Sequence, residues 1–237
     1  MEAKKEMKDM NLLEAMEYIV ALAKGSELSD EFYNKADEYV CFIADKLQLS
    51  KEQSVMLSLF IDKSDNRSIL ASDYCGDFTD RGTEAEALDF LNWFIALSHP
   101  HKLFVTGNHD LCLWDAEDID NLPPNVLFLQ DKACEIGGVK FFGLGYNHSE
   151  RLIPNAVDVL ITHEPPMMIR DKSNGTHWGN LPLRNRVMEV KPKFHLFGHA
   201  HESYGTDVFS NTVFSNGAVL DDQYHLVNAP AQLTLET

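Results

Sequence analysis

Basic side chains are scarce in this chain: 20 Lys and Arg stand against 37 Asp and Glu, a formal net charge of −17. A field of that sign repels duplex nucleic acid, whose binding depends on cations that neutralise phosphates. Long apolar runs are missing too. No stretch approaches 18 apolar residues, and the opening MEAKKEMKDMNLLEAMEYIV has no uninterrupted apolar core. Neither a membrane span nor a secretory signal is expected, and the chain reads as cytoplasmic. Cys41, Cys75, Cys112 and Cys134 stand too far apart for a CxxC pair, which argues for reduced, packed thiols over a thiolate metal site. Every His lies at or beyond His99, every Pro at or beyond Pro100, and Gly25 alone precedes Gly76. The kind of structure encoded therefore changes along the chain, with a boundary near residue 66.

With 237 residues, 44% apolar and 24% charged, the chain has the composition of a globular protein with a substantial core. Before residue 66 the apolar positions recur at helical spacing: Leu12, Leu13, Met16, Ile19, Val20 and Ala23, then Phe32, Ala36, Tyr39, Val40, Ile43 and Leu47. A third helix is expected from Ser50, whose hydroxyl pairs with Gln53 in a capping box, through Val55, Met56, Leu59 and Phe60. Residues 1–66 thus read as an all-helical segment. After Arg67 come short apolar runs that end in Gly, Asn or Asp: 68–75, 102–105, 126–129, 139–144, 157–161 and 194–197, all read as strands. Residues 84–97, with Leu88, Leu91, Phe94 and Ile95 inward, form a helix between the first two, so a βαβ unit is expected.

Polar residues that can bind metal gather where these strands end. They are Gly76-Asp77-Phe78-Thr79-Asp80-Arg81-Gly82, Gly107-Asn108-His109-Asp110, Thr162-His163-Glu164-Pro165-Pro166 and Gly198-His199-Ala200-His201. Loops at the carboxyl ends of strands in an α/β sheet converge on one crevice, so the four clusters can share a site. Asp, Asn and His supply the oxygen and nitrogen donors suited to Mn, Fe or Zn. In so acidic a chain, an anionic substrate would need bound cations to reverse the local field.

In this order the segments resemble the calcineurin-like metallophosphoesterases, whose signature runs D-x-H, G-D-x-x-D-R-G, G-N-H-D/E, a lone H and G-H-x-H. The resemblance covers residues 67–237, and THEPP and GHAHESYG look closest to a branch of small phosphodiesterases. It implies a four-layer α/β/β/α sandwich. It also implies that Asp77 bridges two metal positions, that Asn108, His163 and His199 complete the second, and that His201 belongs to the first. His109 then matches the general acid beside the leaving group, with Asp110 fixing its tautomer, while Asp80 and Arg81 either support the site or form an ordinary surface ion pair. In that family a metal-bound hydroxide attacks phosphorus in line.

The first motif, D-x-H, is absent. Asp62 in Phe60-Ile61-Asp62-Lys63-Ser64 is the nearest substitute ligand, with Ser64 where His is expected; Asp65 and Asp73 are further candidates. The first strand unit is therefore expected to be missing and the first metal position depleted. The helical segment stands in its place, and residues 11–65 faintly resemble the N-terminal region of bacterial AAA-type ATPases, which suggests a bacterial source and a fused origin. The expected function is a metal-dependent phosphoesterase, with a phosphodiester favoured, acting on a small soluble substrate and needing one or two divalent ions. The alternative is a weak or inactive relative whose N-terminal helices serve association. The surface left by the missing unit is expected to be covered either by the helices themselves or by a second copy of the chain, a homodimer through those helices or an exposed sheet edge.

Overall fold

The computed structural model describes residues 59–60, 71–97, 99–223, 225, 227–228 and 231–233. The helical reading of residues 1–58, the boundary near 66, the ATPase-like stretch apart from Leu59 and Phe60, and Asp62, Ser64 and Asp65 lie outside them.

Two sheets carry the domain. The smaller is parallel, in the order β2 (Ala71–Tyr74), β3 (His101–Phe104), β4 (Val126–Phe128), with α1 (Glu84–Ala96) crossing from β2 to β3 as the expected βαβ unit. The larger has six strands. It is built from β5 (Lys132–Ile136), β6 (Val139–Gly143), β7 (Val159–Ile161), β10 (Phe194–Phe197), β11 (Gly205–Phe209) and β12 (Thr212–Asn216), in the order β11-β12-β10-β7-β6-β5. Its four central strands run parallel, and its two outer pairs, β11 with β12 and β5 with β6, are antiparallel. A small hairpin, β8 (Lys172–Ser173) and β9 (Thr176–His177), precedes α2 (Leu181–Val190). Among the described residues no helix is long and apolar enough to cross a membrane.

Side-chain alternation along the strands makes the layers. Leu103 and Val105 face Phe141, Val159, Ile161 and Leu196 in a core between the two sheets. The alternate residues point outward: Phe104 and Phe128 toward α1, and Phe142, Leu160 and Phe197 toward Leu183 and Val187 of α2. With both faces covered, the strands read as near-continuous apolar runs. The result is the four-layer α/β/β/α sandwich. Phe78, directly after Asp77, stacks on Phe90 of α1 at 4.3 Å, and Phe104 meets Phe78 edge-on at 5.8 Å, so the helix layer also anchors the loop after β2.

α1 starts at a capping box in which the Thr83 side chain accepts from Glu86 N–H and the Glu86 carboxylate accepts from Thr83 N–H. Its other end is closed by Lys102, a 1% exposed residue of β3, whose ammonium donates to the carbonyls of Leu97 at 2.9 Å, His99 at 3.3 Å and Ile95 at 3.4 Å. These carbonyls have no partner further along the helix, and the buried cation satisfies them.

The structure corrects several expectations. Leu59–Phe60 is not helix but a short strand, β1, paired in parallel with β13 (Gln232–Leu233). A strand thus precedes β2 after all. A brief apolar run fits helix and strand spacing equally well, and here the ladder to the distant β13 decides. Leu88 is exposed; the buried face of α1 is Ala87, Phe90, Leu91 and Phe94, and Leu88, about 100° of helix past Ala87, lies outside that arc. Asp73 falls within β2.

Candidate metal centre

Each of the four polar clusters directly follows a parallel strand: β2, β3, β7 and β10. Because the first two strands belong to one sheet and the last two to the other, the crevice opens where the sheet ends meet. Four side-chain atoms converge there. His163 Nε2 lies 2.8 Å from Asn108 Oδ1, 3.0 Å from His199 Nδ1 and 3.3 Å from Asp77 Oδ2, and His199 Nδ1 lies 2.9 Å from Asn108 Oδ1. The ligand atoms of Asp77, His163 and His199 all fall within 4.8 Å of one another.

The tautomer of His163 shows what this cluster needs. Its Nδ1 donates to the Cys75 carbonyl at 2.6 Å, which in the neutral ring leaves a lone pair on Nε2, aimed at two oxygens and a second imidazole nitrogen. Acceptors pointed at acceptors call for a cation between them. The set of one carboxylate, one amide oxygen and two imidazoles fits a divalent transition metal, and the carbonyl behind His163 is the outer support such ligands carry. Burial raises the Asp77 carboxyl, but His163 and the His109 N–H outweigh it and hold it at about 2. Burial alone would lower His163, yet Asp77 lifts it above its ordinary value. His199 is brought down to about 4 by burial and by the neighbouring His163.

Backbone geometry brings the loops this close. Gly76 and Gly107 abut: a Cβ on Gly76 would sit 2.4 Å from Gly107 N, and one on Gly107 only 2.3 Å from Asp77 Oδ1. Asp77 and His199 themselves hold left-handed φ angles of 61° and 67°, a strain found where surrounding structure fixes a functional side chain.

Asp110 is the fastener. Its Oδ2 accepts the N–H groups of Asp77 at 2.8 Å and Gly107 at 2.7 Å, and its Oδ1 accepts the N–H of Thr79 at 3.0 Å and the Thr79 hydroxyl at 2.9 Å. Burial pushes its carboxyl up to about 6; the Gly107 N–H opposes the rise and the Asp77 charge adds to it. The expectation that Asp110 fixes the tautomer of His109 is therefore corrected, since both its oxygens are committed to the loops. His109 Nδ1 donates instead to the main-chain carbonyl of Asp80 at 2.9 Å, and its N–H holds Asp77 Oδ1 at 2.9 Å. The side chains of Asp80 and Arg81 form an exposed ion pair at 3.6 Å. His201 stands outside the convergent cluster, with Nδ1 donating to the Asp221 carbonyl at 3.0 Å.

Some contributors carried no motif. Trp114 donates its indole N–H to the Gly107 carbonyl at 2.9 Å and packs on Tyr146, whose ring meets His163 edge-on at 5.8 Å. Thr79 lay inside a recognised motif without an assigned role. Carbonyl partners such as Cys75 and Asp80 leave no side-chain signal to read. Trp178 is 60% exposed after the hairpin and donates to the Ser173 carbonyl at 3.3 Å, while His177 Nδ1 is tied to the buried Asp171 at 2.5 Å.

A family model described as calcineurin-like phosphoesterase matches residues 71–203. A UPF0046 protein of Caenorhabditis elegans is 35% identical over 176 residues, 61% of this chain and 61% of that one. Human metallophosphoesterase domain-containing protein 1 is 29% identical over 208 residues, 69% of this chain and 64% of that one. The chain spans less than two thirds of the length of these relatives. Both are animal proteins, and neither supports the bacterial source expected from the N-terminal stretch.

Proposed function

The chain belongs to the calcineurin-like phosphoesterase family, and on that premise we propose that it is a metal-dependent hydrolase of a small phosphate ester, a phosphodiester in preference to a monoester. The observation that carries this reading is the convergence of Asp77, Asn108, His163 and His199. These four would hold one divalent ion of Mn, Fe or Zn type. Asp77 and His201, with Asp62 as the substitute ligand, would serve the depleted first position. A cation held there supplies positive charge for the phosphoryl oxygens and acidifies a water molecule.

The protein's own residues set the rest. Asp77 is anchored through Oδ1 on the His109 N–H and turns Oδ2 to the cluster. His109 has Nδ1 committed to the Asp80 carbonyl, which leaves Nε2 as the atom that, in the protonated ring, would hand a proton to the departing alkoxide. The acidic field of the chain leaves the anionic substrate dependent on the cation for its approach.

Two variants separate these roles. His109→Ala is expected to cut turnover by roughly 10²–10⁴-fold while retaining the parent's metal content. His163→Ala is expected to lose metal. Equal turnover by parent and His109→Ala would remove the acid role, and full metal content in His163→Ala would overturn its assignment as a ligand.

A further inference from the structure

His199 reaches the cluster from a backbone turn that a histidine does not favour. The Ala200 N–H closes on the Gly198 carbonyl at 2.8 Å while His199 takes a φ of 67°, which makes it the centre of a left-handed γ-turn, a rare and strained conformation. Such strain persists only where the surrounding structure over-determines it. The restraint here comes from Asn216, fully buried at the end of β12. Parallel register pairs Asn216 with Phe197, the last residue of β10, and so sets it beside the turn that follows. Asn216 Nδ2 donates to the Ala200 carbonyl at 2.9 Å and to the Arg170 carbonyl at 2.9 Å, and Asn216 Oδ1 accepts the Ala218 N–H at 2.9 Å. Two carbonyls on one side and an N–H on the other fix which way the amide faces. Arg170 lies in the loop after β7 that carries His163, has a left-handed φ of 48°, and is itself pinned by its guanidinium to the Tyr204 carbonyl at 3.0 Å and to Asp207 at 2.8 Å.

We propose that Asn216 is a positioning residue of the metal centre: its one buried amide ties the loops after β7 and β10 together and keeps His199 in the strained turn that makes it a ligand; this rests on the metal-dependent reading. Asp110 joins the loops after β2 and β3, which carry Asp77 and Asn108, and Asn216 joins those that carry His163 and His199, so each sheet has its own clamp. The Ser203 N–H also reaches the Ala200 carbonyl, at 3.0 Å, but that bond is local and cannot tie the turn to a second loop. Without the amide the γ-turn is free to relax, and fewer molecules hold His199 in place. A metal that needs that conformer then binds with a dissociation constant raised in proportion, and an excess of metal restores the conformer. The loss therefore falls on affinity and not on turnover at saturating metal.

The test is a calorimetric Mn titration of the full chain as parent, as Asn216→Ala, as Asn216→Asp, which turns an acceptor toward two carbonyls, and as Lys102→Met, a control destabilised far from the site. Both Asn216 variants are expected to bind Mn roughly 10–100-fold more weakly, as for other groups behind metal ligands, and to hydrolyse bis-p-nitrophenyl phosphate at the parent's rate once Mn is saturating. Lys102→Met is expected to bind Mn as the parent does. Parent-like affinity in the folded Asn216 variants, or an equal loss in Lys102→Met, would overturn the proposal. Hydrogen exchange of the Mn-free parent checks it without any substitution: residues 168–171 and 198–203 are expected to exchange slowly, with little change on adding Mn. Fast exchange there that Mn suppresses would mean that the metal and not Asn216 sets the turns, and would overturn it too. A parent that binds Mn yet leaves the ester intact would sink the phosphoesterase reading while the affinities still decide the clamp; a parent that binds no Mn would overturn both.

Discussion

The carboxylate of Asp110 accepts the main-chain N–H of Asp77, 33 residues away, at 2.8 Å, and with its other oxygen it holds Thr79. One buried side chain thus joins the loop after β2 to the loop after β3 and sets the position of the carboxylate at the centre of the cluster. Asp110→Asn replaces one acceptor oxygen by a donor that must face an N–H or a hydroxyl. The expected outcome is weaker Mn binding, by roughly 10–100-fold as for other groups behind metal ligands, together with a lower thermal midpoint. Mn affinity and midpoint both equal to the parent's would show that Asp110 does not position the site.

Lys102 offers a test far from the chemistry. Lys102→Met keeps the buried stem and removes the ammonium, leaving the carbonyls of Ile95, Leu97 and His99 without that donor. A loss of about 2 kcal/mol is expected, read as a lower urea midpoint with an unchanged slope. A midpoint equal to the parent's would mean that water reaches these carbonyls freely.

His195 makes stability depend on pH. It is fully buried between Phe197 and Phe214, with Nε2 on the Thr162 hydroxyl at 3.0 Å, and burial brings it down to about 3 from the ordinary 6.5. As pH falls below 6.5 the unfolded chain takes up this proton first, so stability declines from pH 6.5 toward pH 3. Between pH 7.5 and pH 5 this one residue is expected to cost about 2 kcal/mol. Urea unfolding of parent and His195→Gln at the two pH values isolates that share; identical losses in both proteins would assign it elsewhere.

The central strands were legible in the sequence because both their faces are covered, which turns them into apolar runs such as Val159–Ile161. The outer strands were not. In β5 only Ile136 is buried, and β11, at the edge of the sheet, is largely exposed, so neither carries that pattern. The site was legible where a motif names a side chain at a strand end, as with Asp77, Asn108, His163 and His199. It was illegible where support comes from a carbonyl, as at Cys75 and Asp80, or where a neighbouring letter suggested the wrong partner. Asp110 follows His109 in the chain, yet its carboxylate turns to the N–H groups of Asp77, Thr79 and Gly107 instead. Sequence adjacency and spatial pairing differ most where the backbone turns sharply.

The most direct test of the metal-dependent reading is hydrolysis of bis-p-nitrophenyl phosphate by the purified full chain with and without Mn, beside Asp77→Asn prepared in the same way. Turnover by the parent that rises with Mn, and a variant no faster than buffer with Mn, is the expected result. Equal rates for the two proteins, or a parent no faster than Mn alone, would contradict it and leave the centre as a metal-binding remnant at most.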